Sequence, residues 1–205
     1  MAYNSGMNTS SPTNGAIQAV IFDWGGVLEP LPDATHFAQW EARLGLTAGS
    51  LIEILWGPIW EQVEVAAIQR QEYEAHVCAR CGFHDRGELE AFYTAFYPQQ
   101  VQPQMLAAVA ALRPRYRVGL LTNSFAGQRE HIIRLPGAPP ETLFDAYINS
   151  ADVGVLKPSA AIFHHALARL EVPPAQAVFI DDLPLNVEAA AALGFRTILH
   201  RDPEQ

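Results

Sequence analysis

Apolar residues along this chain fall into short, mostly unbroken runs, separated by stretches in which they recur every three or four positions. Ala16 to Phe22 (AIQAVIF), Tyr116 to Leu121 (YRVGLL), Ala177 to Ile180 (AVFI) and Phe195 to Leu199 (FRTIL) are of the first kind. Such brief apolar runs, bounded by turn residues, predict buried strands. The helical period predicts helices over Pro103 to Leu112, over Ser159 to Leu170 behind Pro158, and over Leu185 to Leu193, where Gly194 stops it. Helices alternating with buried strands imply an α/β fold with a Rossmann-like parallel sheet core.

Between Pro30 and Gln102 no strand-like run occurs. Helical periodicity recurs there, broken at Gly45, Gly57-Pro58, Gly82 and Pro98, with helices expected from about Asp33, Thr47, Pro58, Arg70 and Asp85. The expected organisation is therefore a disordered tail over 1–15, a core from 16–29 and 103–205, and an all-helical insertion over 30–102. Leu135 to Glu141 (LPGAPPE) reads as a Pro-rich loop.

Gly25-Gly26 ends the first strand, so Asp23 lies at its carboxyl end, as Thr122 and Asp181 do on theirs. In open α/β sheets ligands bind in the crevice beyond those ends. Hydrophobic residues make up 49% of the chain and charged residues 17%, enough apolar material for a core. Thirteen basic against 22 acidic residues give a net charge of -9, which disfavours nucleic acid and anionic membranes as partners. An anionic substrate then requires a local cationic pocket. Two cysteines are too few for a disulfide framework, and neither a signal peptide nor a membrane span is evident, so the expected setting is cytoplasmic.

The stretch FDWGGVL at 22–28 resembles the first motif of the haloacid dehalogenase-like superfamily. Thr122 closing YRVGLLT, Lys157 in GVLKP and Asp181-Asp182 in VFIDD follow in that family's order. The long first gap holds the helical insertion, which the subfamily I resemblance makes a cap. Lys157 is also the one lysine in the chain; the other twelve cations are arginine. A compact ammonium suits a position shared by a phosphate oxygen and a carboxylate, where a planar guanidinium does not fit.

The resemblance implies a Mg2+-dependent phosphatase of a small phosphorylated metabolite, acting as a monomer or homodimer. Asp23 would be the covalent nucleophile; Thr122, Asn123 and Lys157 would bind phosphate, with Ser124 nearby. Asp23, the Gly25 carbonyl and Asp182 would hold the metal, with Asp181 beside them and Asn186 bracing the loop. Most such phosphatases carry a second Asp two residues after the nucleophile, for acid/base work typically worth about 10² to 10⁴ in rate. Gly25 stands there instead. The D-x-G-G-V form is similar to a branch with epoxide hydrolase amino-terminal phosphatase domains and sugar-phosphate phosphatases. Haloacid dehalogenation, or a weak metal- and phosphate-binding regulatory role, are the alternatives.

His76, Cys78, Cys81 and His84 (HVCARCGFH) are expected to pack rather than bind zinc, and His164-His165 carries no expected role. Trp24 follows the nucleophile, and Trp40, Trp56 and Trp60 are candidates for core packing or for walling a pocket.

Overall fold

The computed structural model describes residues 15–98, 100–135, 137 and 141–205. The expected disordered tail therefore lies, but for Gly15, outside the described residues, as does most of the Pro-rich loop. β1 (Ala19–Phe22) is followed by α1 (Ala34–Leu44), α2 (Ser50–Trp56), α3 (Pro58–Glu64), α4 (Arg70–Cys81) and α5 (Arg86–Phe96). Then come α6 (Pro103–Leu112), β2 (Arg117–Thr122), α7 (Gln128–Ile132), β3 (Ala146–Asn149) and α8 (Ser150–Val153). The chain closes with α9 (Ala160–Leu170), β4 (Ala177–Asp181), α10 (Pro184–Ala192) and β5 (Arg196–Leu199).

All strand pairings are parallel, in the order β3-β2-β1-β4-β5. The sequence pattern predicts four of these strands. β3 escapes it because four residues, AYIN, are too few to show a period, and β3 becomes a strand by pairing with β2 and packing on α9. The short helices α7 and α8 are likewise absent from the pattern. α2 begins at Ser50 rather than Thr47, since the Thr47 carbonyl accepts from the Ser50 amide and hydroxyl to close a turn through Gly49.

Successive strand residues face opposite sides of the sheet. Ala19 and Ile21 join Phe163, Leu167, Leu170 and Phe179 on one side, while Val20 and Phe22 join Trp24, Met105, Val109 and Leu120 on the other. The sheet is thus sandwiched between α9 and α10 on one face and α6 on the other. A third buried cluster belongs to the inserted helices, around Phe37, Leu51, Leu55, Val77, Phe92 and Phe96. Asp33 caps α1 through the His36 amide at 2.8 Å, and Asp85 caps α5 through Glu88 at 3.0 Å, as their positions in sequence predict. Among the described residues no helix is long and apolar enough to cross a membrane.

Phe163 is fully buried and meets Phe179 and Phe195 edge-on, at centroid distances of 5.3 and 5.8 Å. Phe163→Ala is expected to cost about 3 to 5 kcal/mol, the range for an aromatic deleted from a packed core. Urea denaturation will read it as a lower midpoint at unchanged slope.

Candidate active site

β1 is the central strand, and the chain leaves it in opposite directions on its two sides, so the crevice of an α/β sheet opens at its carboxyl end. Phe22 is in register with Leu120 on β2 and Ile180 on β4, and the Asp23 amide donates to the Ile180 carbonyl at 2.9 Å. This register sets Asp23 beside Asp181 and brings Thr122 to the same edge.

The Lys157 ammonium lies between the two aspartates. Its Nζ is 2.7 Å from Asp23 Oδ1, 2.7 Å from Asp181 Oδ2 and 3.1 Å from the Leu121 carbonyl, so three acceptors match its three protons. Asp23 Oδ1 also accepts from the Trp24 amide at 2.7 Å, which locks this oxygen. Asp181 is fully buried and accepts in addition from the Leu183 amide at 2.9 Å and from Asn186 Nδ2 at 3.0 and 3.2 Å. Asp181 is therefore a brace for Lys157, and Asn186 is the brace for Asp181.

Oxygens of Asp23, Asp181 and Asp182 come within 4.8 Å of one another, and among the described residues they are the one His/Cys/Asp/Glu group so arranged. Asp182 is half-buried beside Gly26, whose φ is 75°. A Cβ on Gly26 would overlap the Asp182 carboxylate, so glycine is required there on two counts. Gly25 differs: a Cβ would meet only Leu31, at 3.6 Å, and nothing steric forbids a side chain. The Gly25 carbonyl takes no part in the hydrogen bonds that hold this turn, in which Gly26 donates to Glu29 and Glu29 to Trp24.

Asn123, expected at the phosphate, is used differently by its side chain. Its Nδ2 donates to the Lys157 carbonyl at 3.0 Å and its Oδ1 accepts from the Lys157 amide at 2.8 Å, clamping the loop that carries the lysine. Ser124 is buried, its amide bonded to Ser150 Oγ at 2.9 Å, and Asn149 Nδ2 holds the Phe125 carbonyl at 2.8 Å. Asn149 ends β3 and Ser150 begins α8, two short elements that the sequence pattern does not show, so the role of these residues is not legible there either.

Asp23, Gly25, Thr122, Asn123, Ser124, Lys157, Asp182 and Asn186 all border one cavity of about 480 Å³. Much of its remaining wall is aromatic and comes largely from the inserted helices, with Trp56, Trp60, Tyr73 and Tyr97, joined by Phe125 from the core, and the same helices add Glu61, Glu64 and Arg70. Trp24 lines it too, its indole donating to Glu29 Oε2 at 2.6 Å, whereas Trp40 packs against Phe92 and Phe96. Cys78 is half-buried and Cys81 buried on α4, outside any metal-ligand grouping of the described residues, and His164 and His165 are exposed.

Burial raises the Asp23 carboxyl to about 7; Lys157 opposes this and Asp181 adds to it. Burial and the Asp181 charge likewise raise Asp182. For Lys157 burial alone would lower the pKa, but Asp23 and Asp181 outweigh it and the ammonium is held above its ordinary range. A carboxyl raised from 3.8 to about 7 binds its proton more tightly in the folded state. Its contribution to stability is complete below pH 3.8 and is lost as pH rises through about 7. With divalent metal chelated, the melting temperature of wild type should therefore fall relative to that of Asp23→Asn as pH rises from 5 to 8, in a series of calorimetric scans.

Mouse acyl-CoA dehydrogenase family member 10 is 28% identical over 98% of the chain, which spans about a fifth of that protein's length, 20%. A sesquiterpene phosphatase of Aspergillus oryzae is 24% identical, with 86% of each chain covered. A HAD family enzyme of Bacteroides thetaiotaomicron, solved with magnesium and inorganic phosphate, shares the fold at a TM-score of 0.75 and 22% identity, covering 91% of this chain and 95% of its own. The model of the haloacid dehalogenase-like hydrolases matches residues 17–194. By that match, and by the motif set that the sheet assembles at its switch point, the chain belongs to the haloacid dehalogenase-like hydrolase family.

Proposed function

We propose that this hydrolase is a magnesium-dependent phosphatase of a small phosphorylated metabolite, working through an aspartyl-phosphate on Asp23. The observation that carries the reading is the Asp23–Lys157–Asp181 array with Asp182 beside it, of which Asp23, Lys157 and Asp182 line the cavity. Gly26 is kept bare to make room for Asp182, and the Gly25 carbonyl is unused by the turn, so the donor set is all oxygen, which suits a hard cation. Asp23, Asp182 and the Gly25 carbonyl would hold magnesium, with Asp181 behind them. When bound, the ion offsets the repulsion between carboxylate and phosphate and polarises the phosphoryl group.

Asp23 attacks phosphorus in line with the leaving oxygen, and the phosphorus–oxygen bond to that group breaks as the acyl phosphate forms. Locking Oδ1 on Trp24 and Lys157 leaves the other oxygen as the nucleophile. Thr122 and the backbone after it bind the equatorial oxygens, where charge accumulates. Lys157, with its three protons engaged, acts as fixed positive charge. Water then attacks the phosphorus, releasing phosphate and restoring the Asp23 carboxylate.

The helices between residues 30 and 102 are read as a cap over this site. Arg70 lies over the Phe125 ring at 4.2 Å and Trp60 meets it at 6.3 Å, which ties the helices to the loop after β2. The aromatic wall favours an apolar organic moiety on the substrate, in keeping with a sesquiterpene phosphatase among the relatives. The grouping of Asp181 and Asp182 with Asp23 speaks against dehalogenation, where the carboxylate attacks carbon without a metal.

Purified protein with magnesium is expected to release phosphate from aryl and prenyl phosphates, and Asp23→Asn to reduce release to background in a phosphate assay. No turnover across a broad panel, with beryllofluoride still raising the melting temperature, would select the binding module instead. Gly26→Ala should weaken magnesium binding by about 10-fold or more, the scale of displacing a group that orients a ligand, as read by titration calorimetry.

A further inference from the structure

Glu64 is the last residue of α3 and is nine-tenths buried, yet it lines the cavity together with Asp23, Thr122 and Lys157. A buried carboxylate is costly unless paired. Among the described residues Glu64 enters none of the ion pairs, nearby Lys157 being paired with Asp23 and Asp181 and Arg70 with Glu74; its carboxyl is hydrogen-bonded to the Trp60 side chain. It does not bond to Asp23 or Asp182. The hydrogen bond from Trp60 satisfies an oxygen but supplies no counter-charge, so the carboxyl is buried beside the cavity without an ion-pair partner. The cavity does have a use for this carboxyl, because Gly25 supplies no side chain where one is needed to protonate the leaving oxygen, and the space around its Cα stays open up to Leu31.

We infer that Glu64, presented by the helical insertion, is the proton donor and acceptor for the reaction at Asp23, in place of the carboxyl that position 25 lacks. The inference rests on the phosphatase reading. In the first step the bond between phosphorus and the leaving oxygen breaks, its electron pair goes to that oxygen, and the oxygen takes the proton of the Glu64 carboxyl. In the second, the Glu64 carboxylate takes a proton from water as the water oxygen bonds to phosphorus. The Asp23–phosphorus bond then breaks with its pair returning to Asp23, and Glu64 is again protonated. Water and phosphate ester become alcohol and phosphate, with no further reactant.

The surroundings suit the role. Burial pushes the Glu64 carboxyl up to about 7; Trp60 and Lys157 oppose this, while Glu61 and Asp23 add to it. An acid/base group works best with a pKa near the operating pH. A neutral carboxyl also adds no repulsion to an incoming phosphate. Of the elements packed against α3, α4 brings Arg70 and Tyr73, α2 the exposed Glu53, and α8 Asp152.

Leaving-group dependence tests this in the full chain with magnesium. 2,4-Dinitrophenyl phosphate needs no proton on departure, whereas phenyl phosphate does. Glu64→Gln is expected to lower kcat for phenyl phosphate by about 10²-fold or more. The pre-steady-state burst of dinitrophenolate should stay within about threefold of wild type, followed by slow turnover and accumulating aspartyl-phosphate. The pH-rate limb near neutrality should vanish in the variant, and Gly25→Asp placed in the Glu64→Gln background should recover at least about 10-fold of the lost rate. Equal loss of both burst rates, a change in KM alone, or no recovery by Gly25→Asp overturns the inference while leaving the phosphatase reading intact. A wild type that turns over neither ester overturns both.

Discussion

One buried ammonium organises the catalytic end of this protein. Lys157 is almost wholly removed from water, a state that costs several kcal/mol per ion unless the geometry of its partners is good. Two carboxylates and a carbonyl meet that demand, and the two carboxylates in turn could not approach each other without the cation between them. Each member is then fixed by something further out: Asp23 by the Trp24 amide, Asp181 by Asn186 and Leu183, and the Lys157 backbone by Asn123. An arginine in the same place would bring five donors in a rigid fork to a site with three acceptors. That mismatch is a physical reason for the one lysine in a chain otherwise furnished with arginine.

The array carries surplus negative charge, two carboxylates and a nearby third against one ammonium, and this surplus is what makes it a site rather than a structural salt bridge. Burial amplifies it, as the raised Asp23 and Asp182 pKa values record. On the phosphatase reading, an added cation would lower the free energy of such an array and offset its repulsion of a phosphate. The adjacent glycines divide the labour. Gly26 is bare because Asp182 occupies the space of its Cβ, whereas Gly25 is bare without steric need. Its lack of a side chain has no steric cause, and on the phosphatase reading the acid comes from elsewhere in the cavity.

The inserted helices form a cluster of their own, yet they lend the cavity most of its aromatic wall and Glu64. Trp60 and Arg70 reach Phe125, which stands on a loop pinned by Asn149 at the end of β3 and Ser150 at the start of α8. The edge strand thereby positions the wall of the site as well as completing the sheet.

The sequence by itself determined the family, the α/β class and the identities of Asp23, Thr122, Lys157 and the Asp181-Asp182 pair. These sit at strand ends, where a short apolar run and the residue following it are local information. It also located the helical insertion, because period and breaker residues are local too, and it marked Gly25 as a departure. The tertiary structure alone decided what depends on residues distant in the chain. It made a strand of AYIN through pairing, engaged the Asn123 side chain as a clamp on the Lys157 backbone, and set Asp181 behind Asp182. It also separated Trp56 and Trp60 at the cavity from Trp40 in the helical core, and brought Glu64 to the cavity wall that Asp23 and Lys157 share. No periodicity encodes these, since each is a matter of which side chains the fold brings within a few ångströms of one another.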